Sequence, residues 1–266
     1  MNRITKRLSN HGLPQRRSML PAIILLLIVA NVAAPAATIT FQSSARRTSL
    51  LELYTSEGCS SCPPAESWLS RQKEAPGLWK DFVPVAFHVD YWDHLGWRDP
   101  WSDNSFTARQ RAYAQAWGTN SIYTPELVLN GREWRDWSRW RDVARSEETV
   151  GVLTVSSVAG DRWYVSFTPT TPAGHYEVHA ALLSSGMTSD VKAGENQGRH
   201  LAHDFVAASV AHARMEQTGA MFQADLLVGP EHKLTRGQLA LAVWVTRDGQ
   251  LEVLQAAGSW LPPVNQ

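Results

Sequence analysis

Cys59 and Cys62 are the only cysteines in this 266-residue chain, and only Ser60 and Ser61 separate them. Closing so small a ring stabilises a fold by about 2 kcal/mol in the chain-entropy treatment, less than the ~3 kcal/mol of a fifteen-residue loop. Two adjacent thiols can instead exchange disulfides, because one attacks a partner and the other resolves the mixed disulfide. The spacing therefore favours a redox centre, with an inert local disulfide as the alternative.

The elements around the two cysteines should determine their reactivity. The apolar run at residues 48–54 predicts a buried strand, residues 55–58 a turn, and residues 65–72 a helix. The start of a helix carries free N–H groups and a partial positive charge, which stabilise a thiolate and lower the pKa of a cysteine. A reactive pair is therefore expected at this strand-to-helix turn.

Two neighbouring features oppose this reactivity. Glu57 lies two residues before Cys59, and its carboxylate disfavours a thiolate by like-charge repulsion. Pro63 and Pro64 disfavour helical geometry at the residue that precedes each of them. We therefore expect the regular helix to begin later than is usual after such a motif.

The first half of the chain alternates strands and helices. Further strands are predicted at residues 83–89 and 125–131, and a helix is predicted from the one-sided spacing of Phe106, Gln110, Tyr113 and Trp117. Another helix is predicted over residues 134–144. This order predicts an α/β domain over residues 38–149.

The second half reads as β structure. Six strands are predicted, at residues 152–158, 163–168, 175–183, 221–228, 239–246 and 251–256. Asp248 and Gly249 form a two-residue hairpin signal between the last two strands. Residues 193–216 fit the pattern less clearly and leave room for a helix. The sequence therefore predicts an all-β, sandwich-like C-terminal domain over residues 150–266.

The cysteine motif and a later Thr-Pro pair resemble the thioredoxin superfamily. The segment 122–131, with Thr124 and Pro125, is similar to the cis-proline strand of that superfamily. The resemblance implies a thioredoxin-like fold for residues 38–149, with Cys59 as the attacking thiol and Cys62 as the resolving thiol. It also implies that Thr124 and Pro125 face the cysteines and bind the backbone of an extended substrate. A cis bond is accessible there because an X–Pro amide has a reduced trans preference.

A narrower resemblance covers most of the chain beyond residue 37. The segments 52–65, 87–93, 96–100, 109–111, 123–125 and 194–196 resemble the secreted bacterial "domain of unknown function 1223" family, whose members are described as thioredoxin-like. The resemblance supports the fold and the pairing of the two domains. It implies no activity, because none is securely assigned to the family.

Three other residues are candidates for proton transfer near the thiols. Glu52 is a lone charge in the first strand, where burial would raise its pKa and suit it to a relay; an edge-facing or ion-paired glutamate is the alternative. His88 and Asp90 end the next strand. His88 with the two cysteine sulfurs would also form a soft site suited to copper(I) or zinc. His200 and His203, in the second half, are expected to be solvent-facing or structural.

The first 37 residues read as a secretory signal peptide. They contain five cations and no acid, then an apolar run at residues 19–30, and an Ala-x-Ala pattern at Ala34 and Ala36. An uncleaved membrane anchor is the alternative. Without this segment 20 basic and 25 acidic residues remain, a net charge of −5, which argues against a nucleic-acid partner. An exported, periplasmic protein is predicted, in a compartment where disulfides persist.

Together these features predict an exported thiol–disulfide oxidoreductase that acts on polypeptide thiols or disulfides. Its only redox group would be the Cys59–Cys62 disulfide, and its partner a polypeptide substrate or redox protein. Membrane contact is expected only through an uncleaved signal. The alternatives are a non-enzymatic envelope binding module with an inert disulfide, and a copper(I)-binding or delivery protein.

Overall fold

The computed structural model describes Met1 and residues 38–139, 143–229 and 237–263. The predicted signal peptide, with Ala34 and Ala36, lies outside the described residues. The described residues between 38 and 263 form one compact unit. Within the described ranges, no helix is both long enough and apolar enough to cross a membrane.

The described residues contain fifteen strands. They are β1 (Thr40–Gln42), β2 (Ser49–Thr55), β3 (Phe82–His88), β4 (Glu126–Leu129), β5 (Arg132–Glu133), β6 (Gly151–Ala159), β7 (Arg162–Pro169), β8 (Tyr176–Ser185), β9 (Met187–Asp190), β10 (His200–His203), β11 (Val206–Arg214), β12 (Glu216–Thr218), β13 (Met221–Leu227), β14 (Gln238–Arg247) and β15 (Val253–Trp260).

Two α-helices accompany them in the described chain, α1 (Pro63–Arg71) and α2 (Asn104–Ala116). Short 3₁₀ helices span Gln72–Glu74, Asp93–Leu95 and Trp137–Arg139. The last of these is the only helical turn described in the segment where a third α-helix was predicted, over residues 134–144. The one-sided pattern that predicted α2 is confirmed: Phe106, Gln110 and Tyr113 are buried.

The strands form three sheets. The largest has eight strands in the order β15-β14-β8-β11-β3-β2-β4-β5; another has five, in the order β1-β6-β7-β13-β12; and β9 pairs with β10. In the large sheet β3 runs parallel to β2 and to β11, while the other pairs are antiparallel. The link between β3 and β11 is a short one, with Val206 opposite Ala86.

Apolar side chains cover both faces of the large sheet. On β8, Val178 and Leu182 belong to a core shared with the five-stranded sheet, whereas Ala181 and Leu183 belong to the core that includes α1 and α2. This alternation follows the period of two along a strand. It explains why the central strands are buried over almost their full length.

The prediction of an α/β thioredoxin-like domain followed by a separate β sandwich is wrong. Strands hold about 45% of the described residues and helices 14%, which is not a typical α/β thioredoxin fold. The eight-stranded sheet takes strands from both sides of residue 149, because β11 adds to β3. Residues 193–216 contain β10 and β11 rather than a helix. The six strands predicted in the second half are present, with ends shifted by a few residues.

Candidate functional site

The cysteine pair lies at the turn between β2 and α1. Cys59 and Cys62 form a disulfide. Cys62 has helical backbone angles (φ −76°, ψ −37°), and α1 begins directly at Pro63. The expectation that the two prolines delay the helix is therefore wrong, because proline in the first helical turn lacks only an N–H that would have no partner there.

The resemblance predicts that Thr124 and Pro125 face this disulfide, and the structure places the backbone of Thr124 beside Cys59. The peptide bond between them is cis. The Sγ atom of Cys59 lies 3.7 Å from the carbonyl oxygen of Thr124, to which Ser61 Oγ donates a hydrogen bond of 3.4 Å. Trp92 Nε1 donates a hydrogen bond of 2.8 Å to Thr124 Oγ1, which also fixes this segment.

A segment from the second half of the chain covers the motif. Glu195 accepts hydrogen bonds from the backbone N–H and the hydroxyl of Ser60, at 3.0 and 2.7 Å. These bonds lower the pKa of the Glu195 carboxyl. The buried Asn196 amide donates to the carbonyl oxygens of Glu57 and Cys59, at 2.8 and 2.9 Å. Cys59 is only 1% exposed and Cys62 is fully buried.

The Glu57 carboxylate is buried and fully engaged. It accepts hydrogen bonds from Trp97 Nε1 at 2.7 Å and from Ser189 Oγ, and its Oε1 lies 3.0 Å from His203 Nε2. A positive charge on His203 offsets the like-charge repulsion that the sequence predicted between Glu57 and a Cys59 thiolate.

His203 links Glu57 to a second buried carboxylate, Glu66 on α1. His203 Nδ1 lies 2.9 Å from Glu66 Oε2, while Thr55 Oγ1 donates to Glu66 Oε1 at 2.5 Å. Burial alone would lower the pKa of His203, but its hydrogen bonds to the two carboxylates raise it to about 10. The pKa of Glu66 is lowered despite its burial, by the hydrogen bond and charge of His203.

His88 is the fourth member of this buried cluster, and Asp99 the fifth. His88 Nδ1 lies 2.7 Å from Asp99 Oδ2, and both side chains are fully buried. Burial raises the pKa of Asp99, but the charge and hydrogen bond of His88 outweigh it, so that this pKa is lowered. His88 Nε2 is buried and has no hydrogen-bond partner among the described residues.

Glu52, predicted as a relay or an ion pair, is ion-paired. Arg109 Nε and Nη2 donate to its two carboxylate oxygens at 2.7 and 3.1 Å. The hydroxyl groups of Tyr113 and Tyr54 donate at 2.6 and 2.9 Å. Both oxygens of this fully buried carboxylate are therefore occupied.

The remaining predicted roles concern Asp90, and His88 together with the cysteines. Asp90 is half-buried and accepts a hydrogen bond of 2.6 Å from Thr107 Oγ1. His88, proposed as a copper ligand with the cysteines, lies instead beside Glu66 and His203. The two cysteine sulfurs are joined to each other, so neither is a thiolate ligand in this state.

Sequence reasoning missed most of the cluster. Glu66 and Asp99 were assigned no role, and His203 was expected to be solvent-facing or structural. His203 is 2% exposed, whereas His200 is exposed. The alternation along β10 was the available signal, because His203 and Leu201 share a face and both are buried.

A family model described as "Protein of unknown function (DUF1223)" matches residues 50–246. The chain belongs to this family. The resemblance read from the sequence is thus confirmed at the level of the family. No curated protein matches the chain.

Two solved structures share the fold. Protein AGR_C_4864 from Agrobacterium tumefaciens aligns with a TM-score of 0.55 and 24% identity, over 83% of this chain and 96% of that one. HBP35 of Porphyromonas gingivalis aligns with a TM-score of 0.55 and 14% identity, over 82% of this chain and 76% of that one. At these identities the likeness concerns the fold alone.

Proposed function

We propose that this DUF1223 protein is an exported thiol–disulfide oxidoreductase that exchanges electrons with cysteine pairs in polypeptides. The observation that carries the proposal is the position of the disulfide: it directly precedes α1, and Cys59 Sγ lies 3.7 Å from the carbonyl oxygen of Thr124. This local arrangement is that of thioredoxin-like proteins, and we propose a relationship to them at the site, not in the architecture of the sheets.

The oxidised protein would act by two exchange steps. A substrate thiolate attacks Sγ of Cys59, the Cys59–Cys62 bond breaks, and Cys62 leaves as a thiolate. A second substrate thiolate then attacks the substrate sulfur of the mixed disulfide, and Cys59 leaves. The substrate gains a disulfide, and the two cysteines gain two electrons and, as thiols, two protons. The reverse sequence reduces a substrate disulfide.

The start of α1 supports this chemistry. Cys62 is the N-cap residue and no side chain caps this helix, so the positive end of the helix dipole lies at the sulfurs and favours their thiolate forms. Glu57, the nearest carboxylate in sequence, is matched by His203. An extended polypeptide would bind beside Thr124 and the exposed Tyr123, after the segment that contains Glu195 has moved from Ser60.

Trapping of a mixed disulfide tests the proposal. Cys62→Ser leaves Cys59 as the one thiol, and it should form a stable adduct with an unstructured peptide that contains one disulfide. Cys59→Ser is the matched control and should trap far less, because the proposed peptide-binding segment at Thr124 and the exposed Ser60 adjoin Cys59, whereas Cys62 lies fully buried at the helix start. If Cys62→Ser traps no peptide, or if the two variants trap equally, Cys59 is not the attacking thiol.

The burial of both cysteines favours a second candidate, a non-enzymatic binding module with an inert disulfide. In that case the Cys59→Ser/Cys62→Ser double variant would fold and retain every activity of the wild type in a deletion strain. The redox proposal requires that the same variant fold but fail to complement.

A further inference from the structure

We propose that Glu66, His88 and His203 bind a divalent transition-metal ion, with zinc as the best fit. The three side chains meet in the interior, where α1, the end of β3 and β10 come together. This inference goes beyond the disulfide chemistry and does not depend on it, because neither cysteine is a ligand.

The distances suit a metal site. One candidate ligand atom from each residue lies within 4.8 Å of the other two. The His203 Nδ1 to Glu66 Oε2 distance is 2.9 Å, and the rings of His88 and His203 are 5.1 Å apart and nearly perpendicular. Zinc bonds of about 2.0–2.1 Å in a tetrahedron separate neighbouring ligand atoms by about 3.4 Å. The separations in the cluster, from 2.9 Å to at most 4.8 Å, bracket this value.

His88 is oriented as metal-binding histidines are. Such a residue hydrogen-bonds a carboxylate through one ring nitrogen, which fixes the ring and leaves the other nitrogen for the metal. His88 Nδ1 lies 2.7 Å from Asp99 Oδ2, and its buried Nε2 has no partner in the described part of the chain. An orphaned nitrogen in a fully buried side chain is costly, and a metal ion would satisfy it.

His203 has the same arrangement. Its Nε2 lies 3.0 Å from Glu57 Oε1, and its Nδ1 lies 2.9 Å from Glu66 Oε2. A metal ion bound at Nδ1 displaces the proton that this nitrogen shares with Glu66 in the metal-free protein. The cluster therefore contains two histidines, each oriented by its own carboxylate, and a third carboxylate between them. Two imidazole nitrogens and one glutamate oxygen form a ligand set used by catalytic zinc sites, which keep the fourth position open. The three buried carboxylates also supply negative charge to compensate a dication.

Metal analysis of the oxidised full chain tests the proposal, because the intact disulfide keeps the cysteines from contributing ligands. The protein is loaded with Zn²⁺ or Co²⁺ both by equilibration and by refolding with the metal, then freed of excess ion. We expect about one equivalent of bound metal, and for Co²⁺ the visible absorption of a site with fewer than six ligands. Less than a tenth of an equivalent after both procedures overturns the proposal.

Single substitutions show which residues bind the ion. His88→Gln and Glu66→Gln should abolish stoichiometric binding, while His212→Gln should retain it. His212 is the matched control because, with Glu177 and His179, it forms the other cluster of possible ligands found in the described residues, one that is partly exposed. Loss of binding in His212→Gln with retention in His88→Gln assigns the metal to that cluster and overturns the proposal.

The Asp99→Asn variant distinguishes a metal site from a cluster that is only structural. It remains informative if the variants of the ligands themselves fail to fold. Asp99 orients His88 without contacting the ion, so we expect affinity to fall 10–100-fold while the stoichiometry stays at one. Unchanged affinity and an unchanged Co²⁺ spectrum in folded Asp99→Asn would contradict the role given to His88.

Discussion

Glu195 holds Ser60 by two hydrogen bonds, from the serine backbone and from its hydroxyl, one residue after Cys59. The two residues are 135 positions apart in the sequence, so this contact depends on the folded second half of the chain. Ser60 is exposed, whereas the neighbouring disulfide is buried. The contact therefore covers the motif at Ser60, one of the two exposed serines between the cysteines.

Removing this contact should expose the disulfide. We expect Glu195→Ala to be reduced by dithiothreitol severalfold faster than the wild type, because the covering segment loses both bonds to Ser60. The rate is measured by quenching with an alkylating reagent. Glu216→Ala, at an exposed glutamate of β12, is the control and should be reduced at the wild-type rate. Equal rates in all three proteins would show that opening does not involve Glu195.

The Glu52–Arg109 pair should matter for stability. Glu52→Gln leaves the Arg109 guanidinium with an uncompensated charge among buried aromatic rings, and such a loss costs about 3 kcal/mol. The free energy of unfolding in urea measures the effect. Asp225→Asn breaks an Arg162 pair of similar geometry at the surface and should leave the stability close to that of the wild type.

Equal stability losses in Glu52→Gln and Asp225→Asn would contradict this view of the interior pair.

The same Glu52→Gln protein tests the proton relay that was predicted from the sequence. A relay requires that the pH dependence of disulfide exchange change with the substitution, whereas a purely ion-paired Glu52 leaves it unaltered.

Glu126 should make the fold less stable at alkaline pH. Burial raises the pKa of its carboxyl to about 7, assisted by the charge of Glu133 and opposed by a hydrogen bond from Gln110 and the charge of Arg135. The folded chain thus binds a proton more tightly than the unfolded chain, whose carboxyl has a pKa near 4.5. The resulting stabilisation is complete below pH 4.5 and is lost as the pH rises through 7.

The Glu126→Gln substitution removes the buried charge that destabilises the fold above pH 7. Each pKa unit corresponds to about 1.4 kcal/mol, and screening by nearby solvent reduces the total, so the variant should be about 1–2 kcal/mol more stable than the wild type at pH 8.5. At pH 4.5 the two proteins should differ little, since Gln110 can still donate to the amide oxygen. Urea unfolding at both pH values measures the difference, and a difference independent of pH would contradict the raised pKa.

Local sequence patterns were sufficient to predict individual secondary-structure elements. The apolar run of β2, the one-sided spacing of α2 and the hairpin signal at Asp248 and Gly249 each depend on neighbours in sequence, and each is present. The motif with Cys59 and the segment with Thr124 could be placed together only through a resemblance, because the two residues are 65 positions apart in the sequence.

The architecture and the buried cluster depend on contacts that no local pattern contains. The addition of β11 to β3 joins the two halves in one sheet, and it rests on a register that begins at Val206 and Ala86. The same association of the two halves brings His203 within hydrogen-bond distance of Glu57, which is 146 positions away in the sequence. The polar sequence around His203 does not show that this residue is buried. Its burial follows from the packing of β10 against α1.

The reduction potential of the Cys59–Cys62 couple distinguishes a catalyst from a structural bond. Exchange catalysts lie between about −120 and −270 mV, whereas inert disulfides lie below about −300 mV. From the helix start at Cys62 and the matched charge of Glu57, we expect a value in the catalytic range, because both stabilise the reduced, thiolate form. Titration in glutathione buffers, read by alkylation, gives the value, and the double cysteine-to-serine variant provides the blank. A potential below about −300 mV would mean that burial of the disulfide outweighs these effects, and the binding module would then be the better account of this protein.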